Sequence, residues 1–160
     1  MAGWKDFREI AAWRLSREVK CYVYAFLERP DVRRKYKYCE QLADAARSAP
    51  SNIAEGFGKF GNKEFARFSR IAKGSLEEVL NHMIDAFDQR LLSKDELADH
   101  EHRIRKALKA TIGLIRHLES TPDPPRPPKQ NPRNREPNPR NPPEPPEPSE
   151  PLVQRSRARN

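Results

Sequence analysis

Six residues near the middle of the chain, Gly56-Phe57-Gly58-Lys59-Phe60-Gly61, match the G-x-G-x-x-G pattern that cradles a pyrophosphate when it follows a strand and opens a helix. No strand precedes them. Cys39, Leu42, Ala46, Ala49 and Ile53 recur at intervals of three and four, the spacing of one helix face. A dinucleotide fold also requires strands and helices in alternation, and the chain has no strand pattern. The glycines are expected instead to turn a corner between two helices. Gly56 and Gly58 would take left-handed angles at the end of the first, and Gly61-Asn62 would lead into the second.

A second group offers charge. Lys63, Arg67 and Arg70 are spaced four and three, with Lys73 at one edge, so on a helix they form an outward basic stripe. Near a helix N-terminus such cations oppose the macrodipole, at about 0.3 kcal/mol or more each. With Lys59 they would make an anion-binding end; the plainer reading is a solvated face, or charges paired with a neighbouring helix or subunit. On the last helix Lys106 and Lys109, with His102 and Arg116, form a second basic face. Trp13, Phe57, Phe60, Phe65 and Phe68 have rings that could stack on bases. Phe65 and Phe68 belong to the core stripe, and only Phe57 and Phe60 at the corner are free candidates, with a place in the core or an interface the simpler reading.

No acid, base and nucleophile fall into a catalytic arrangement, and no enzyme activity is expected. His100 and His102 are two apart, which points them to different faces of a helix. His82 and His117 have no spacing to a cysteine or carboxylate that completes a metal set, so neither a metal nor a cofactor is expected. Cys39 falls on an apolar stripe, and Cys21 has no context that would activate it. Ser75 follows Gly74 inside a helix, where close packing is its first reading.

Of 16 prolines, all but Pro30 and Pro50 lie from Pro122 onward. Residues 122–160 have too little apolar surface to offset backbone ordering, about 1 to 2 kcal/mol per residue, and are expected to be a disordered, partly polyproline II tail. Pro125-Arg126-Pro127-Pro128-Lys129 superficially resembles a ligand of polyproline-reading domains. Arg155, Arg157 and Arg159 could add salt-sensitive affinity for nucleic acid. The net charge of +8 divides into +3 on the tail and +5 on residues 1–121, a balance that suits an anionic partner. Two cysteines without a leader segment suggest a reducing cytoplasm, and no run of 18 apolar residues predicts a membrane span.

Residues 1–121 read as four amphipathic helices. The first is expected to start near Asp6 with Glu9 as its capping partner, to bury Ala12, Leu15, Val19, Tyr22 and Phe26, and to end at Pro30. The second runs from about Tyr38 to Gly56, with a kink expected at Pro50. The third, Asn62 to about Arg90, buries Phe65, Phe68, Ala72, Leu76, Val79 and Met83. A Ser93–Glu96 capping box opens the fourth, whose face is Leu97, Ile104, Leu108, Ile115 and Leu118. Short connections favour an antiparallel up-down-up-down four-helix bundle, all-α.

The segment Ser48-Ala49-Pro50-Ser51-Asn52-Ile53-Ala54-Glu55-Gly56, with Lys63-Glu64-Phe65-Ala66-Arg67-Phe68 and Ile71-Ala72-Lys73-Gly74-Ser75-Leu76, resembles the bacterial 23S rRNA intervening sequence proteins. Asp6-Phe7-Arg8 with Trp13, Gln41-Leu42, Glu78 and Gly113-Leu114-Ile115 extend the resemblance from Phe7 to about Leu118. It implies a left-handed antiparallel bundle assembling as a homopentamer, with no known enzymatic activity and with RNA or a nucleoprotein as a possible partner. Accessory proteins of diversity-generating retroelements, which partner a reverse transcriptase, look like distant relatives. The chain departs from the family at Ala43-Asp44, where many members carry a basic pair, and in its proline-rich tail. Within the shared motif, Pro50, Asn52, Glu55, Gly56, Arg67, Gly74 and Ser75 are expected to be structural, with Glu55 and Arg67 meeting across the corner.

Overall fold

The structure, a computed structural model, describes residues 3–59 and 61–123. The expectations for Phe60 and for residues 124–160 lie outside the described residues. Four long helices, α1 (Ala11–Leu27), α3 (Tyr36–Phe57), α4 (Asn62–Asp88) and α5 (Lys94–Ser120), are joined by short connections, and a single-turn α2 (Pro30–Arg33) lies in the first of these. Each long helix packs chiefly on its sequence neighbours, and α1 closes the square against α5. This is the up-down-up-down bundle. At 1.5 Å per residue, α4 and α5, with 27 residues each, are about 40 Å long.

The start of the chain differs from its sequence reading. Asp6 caps a 3₁₀ turn, Phe7–Glu9, by accepting from the Arg8 backbone N–H at 2.7 Å, and α1 begins afterwards at Ala11. Glu9 accepts from Lys5 N–H rather than closing a box with Asp6. On α1 the buried residues are Ala12, Ser16, Val19, Val23 and Phe26. Tyr22 is 38% exposed, with the Arg103 guanidinium 3.6 Å from its ring centroid. The steps 12, 16, 19, 23, 26 fit the 3.6-residue period as well as the heptad containing Tyr22, and packing selects the set without a phenol to bury. Pro30 fills the first turn of α2, where a missing N–H costs nothing.

The core has two apolar clusters. One joins Val19, Val23 and Phe26 to Leu42, Leu76, Val79, Met83 and Ile104. The other joins Ile10, Ala12, Ile53, Phe65, Leu114 and Leu118, with Trp4, Phe7 and Trp13 packed against it. Ser16 on α1 and Thr111 on α5 fall between them along their helices and are fully buried, each bonded to the carbonyl four residues earlier. Among the described residues no buried side-chain polar atom lacks a partner. Ser93 and Glu96 form the expected reciprocal box at the start of α5. α3 is continuous through Pro50. No helix among the described residues is long and apolar enough to cross a membrane.

Candidate nucleic-acid interface

The corner between α3 and α4 is held by steric fit. Gly56 stays within α3, and a Cβ there would lie 2.6 Å from Phe65 Cδ2 and 2.8 Å from Phe68 Cβ. It therefore serves close helix approach rather than a left-handed turn. Gly58 has φ of −75°, so it is also right-handed. The left-handed position is Gly61, at φ +99°.

The start of α4 is then closed by residues about 60 positions away. Asp123 Oδ1 accepts from the backbone N–H of Asn62 and, at 3.1 Å, of Lys63. The buried Asn62 amide donates to the Thr121 and Pro122 carbonyls at 3.1 and 2.9 Å. A carboxylate at exposed N–H groups complements the macrodipole, so the anion-binding end read from the sequence contains an anion from the chain itself.

The cations of the stripe lie outward but are mostly paired. Lys59 bonds Glu55 at 3.2 Å, Arg67 bonds Glu64 at 3.3 Å, Lys73 bonds Glu77 at 3.2 Å, and Arg70 bonds Glu119 on α5. The expected Glu55–Arg67 contact across the corner is absent, because each finds a partner within about one turn of its own segment. What Lys59 and Arg67 share is the Phe68 ring, 5.3 and 4.6 Å from its centroid. Lys63 has no carboxylate partner among the described residues, and neither do Lys106, Lys109 and Arg116 on α5. Lys109 and Arg116, with Arg105, edge a groove of about 580 Å³ whose other lining residues include Glu77, Ile112 and Gly113. Arg105 is bonded to Glu101 at 2.6 Å.

The family profile of the 23S rRNA-intervening sequence protein matches residues 8–113, well over half of the chain. The chain belongs to this family. No curated protein matches it.

The family motif resolves into contacts. Asn52 Nδ2 donates to the Ser48 carbonyl at 2.9 Å and to Ser48 Oγ at 3.1 Å, and Ser75 Oγ lies 2.8 Å from Ser48 Oγ. Pro50 is buried, while Gly74 is exposed, and a Cβ added to it would meet no atom within 4 Å. Sequence reasoning reaches Ser48 only as the first letter of the motif, and composition groups Asp123 with the proline-rich tail. The one available signal for Ser48 is its four-residue spacing to Asn52. Burial pushes the Cys39 thiol above its ordinary range, and its Sγ donates to the Val32 carbonyl. Among the described residues no three His, Cys, Asp or Glu gather as a metal set.

Proposed function

We infer that this member of the family is a non-enzymatic, self-associating bundle that binds RNA, free or within a nucleoprotein, in the bacterial cytoplasm. The observation that carries the reading is the outer face of α5, where Lys106, Lys109 and Arg116 have no carboxylate partner among the described residues. Three such cations on one helix face favour an external polyanion over internal ion pairing. The resemblance implies a homopentamer, and a ring would repeat the face around its axis.

The test is binding of the full-length protein to structured RNA, single-stranded RNA and duplex DNA across a salt series, with oligomer mass followed in the same samples. Lys106→Glu/Lys109→Glu/Arg116→Glu is expected to lower the salt slope by about 0.7 to 0.9 per lost contact. An unchanged slope in an intact oligomer removes this face from the reading.

A second reading, a protein-interaction module without nucleic-acid binding, is favoured by the pairing of Lys59, Arg67, Arg70 and Lys73 with carboxylates of the same chain. The outward Ile71, Ile84 and Phe87 of α4, 42, 42 and 38% exposed, also suit protein contact. An accessory role beside a retroelement reverse transcriptase belongs to the same experiment, with that enzyme as the added partner.

A further inference from the structure

A groove of about 260 Å³ lies between α1 and α3, on a different face from the α5 cations, lined by Phe7, Trp13, Arg17, Lys20, Arg47 and Ser51. Trp13, Arg17 and Lys20 are spaced four and three on α1, and Arg47 and Ser51 are four apart on α3, so both helices turn one ridge into the groove. Phe7 meets the indole edge-on, ring centroids 5.0 Å apart, and holds it half-buried.

We propose that this groove receives one nucleotide of a single-stranded RNA, its base against Trp13 and its flanking phosphates on Arg17, Lys20 and Arg47. The proposal rests on the RNA reading above and supplies the part of it that contacts bases. Size sets the first limit: the groove is smaller than the roughly 300 to 1,000 Å³ of pockets that enclose drug-sized ligands, and suits a single base. An aromatic face bordered by cations is the chemistry by which proteins hold single strands, the ring taking the base and the charges the backbone. A duplex keeps its base faces stacked and offers the indole nothing.

The local charge is available to a phosphate. Glu18, the carboxylate next to Arg17 in sequence, is held by Arg103 at 2.9 Å on the side facing α5. Asp44 bonds Arg47 at 2.7 Å, but both side chains are more than half exposed, and such pairs are weak enough for a phosphate to compete. Lys20 lies 5.7 Å from the Tyr24 ring centroid, a contact that leaves its ammonium free to swing. An acidic peptide would use the cations without needing the indole, and this difference decides the experiment.

The full-length protein is titrated with a fluorescein-labelled uridine decamer, a duplex RNA and heparin, a polyanion without bases. A Trp4→Phe background leaves Trp13 as the reporting indole. The decamer is expected to quench Trp13, and heparin to bind without quenching it. Arg17→Glu/Arg47→Glu, at two exposed positions, should weaken decamer binding at least tenfold and abolish the quench, while Lys106→Glu/Lys109→Glu should weaken binding through lost α5 contacts but leave the quench at saturating decamer unchanged. Trp13→Leu should lose roughly 5- to 150-fold for the decamer and little for heparin. Because Trp13 also packs on Phe7, helicity is compared first, and the charge reversal stands if that variant is unfolded. Decamer binding unaffected by Arg17→Glu/Arg47→Glu but lost in Lys106→Glu/Lys109→Glu overturns the groove and keeps the RNA reading. Equal losses for decamer and heparin in Trp13→Leu overturn the base contact. No binding of any RNA by the wild type overturns both.

Discussion

Ser75 Oγ of α4 lies 2.8 Å from Ser48 Oγ of α3, and this pair ties the two most conspicuous stretches of the family motif together. One proton arrangement satisfies every member: Asn52 donates to Ser48 Oγ, Ser48 to Ser75 Oγ, and Ser75 to the Ile71 carbonyl at 3.1 Å. Direct contact means the two hydroxyls should not behave independently. Ser48→Ala and Ser75→Ala are each expected to cost about 1 to 3 kcal/mol, by stranding partners in a partly buried site. The double variant should cost less than their sum by about 0.5 kcal/mol or more. Urea unfolding of the four proteins gives the coupling, and additive losses would show that the hydroxyls do not act together.

Two glycines of the motif should respond in opposite directions. Gly56→Ala forces a methyl against Phe65 and Phe68 at distances no ordinary contact reaches, and overpacking of this kind costs about 1 to 3 kcal/mol. Gly74→Ala meets open space on an exposed helix face and should stabilise the isolated bundle by about 1 kcal/mol. A helix glycine with no neighbour in its own chain suits close approach by another copy. Thermal melts report the first effect and sedimentation the second: Gly74→Ala should raise the melting temperature while weakening self-association. An oligomer unchanged by Gly74→Ala would take α4 near Gly74 out of the contact between copies.

The four long helices are legible in the sequence because their apolar positions repeat over many turns, and Ser93 with Glu96 because a box closes within four residues. The corner is legible in place but not in cause. Gly56, Gly58 and Gly61 look alike in sequence, and only the approach of Phe65 and Phe68, and the φ of Gly61, assign their separate roles. Ion pairs are the least legible. Arg67 has Glu64 within one turn, while Arg70 reaches Glu119, 49 positions away, and spacing along one helix cannot foresee the second kind. The groove between α1 and α3 has a usable signal in Trp13, Arg17 and Lys20, but Arg47 joins them only through packing.

Truncation should expose the role of Asp123. Composition places the boundary at residue 121, yet the carboxylate that closes the first turn of α4 lies two residues beyond it. Residues 1–121 are therefore expected to be less stable than 1–125 by about 0.5 to 2 kcal/mol, the range for loss of an N-terminal cap. Asp123→Ala in the full chain should reproduce the loss, and Asp123→Asn, which keeps an acceptor without the charge, should recover part of it. Equal unfolding midpoints for the two truncations would show that water replaces Asp123 at no cost.

His100 gives the fold a pH dependence of defined sign. It is more than half buried, edge-on to Phe26 with centroids 6.0 Å apart, among Asp99, Arg103, Glu96 and Arg29. Burial, the leading cause, lowers its pKa below the ordinary 6.5 despite Asp99, which opposes the shift. The unfolded chain then takes up this proton at a higher pH than the folded chain does. Stability from this group is complete above about pH 6.5 and declines as pH falls toward the depressed folded value. Between pH 7.5 and 5.5 the urea midpoint of the wild type should drop more than that of His100→Gln, which cannot titrate. Carboxylates, with ordinary values near 4, contribute little in this window. Parallel curves for the two proteins would show that His100 does not carry the dependence.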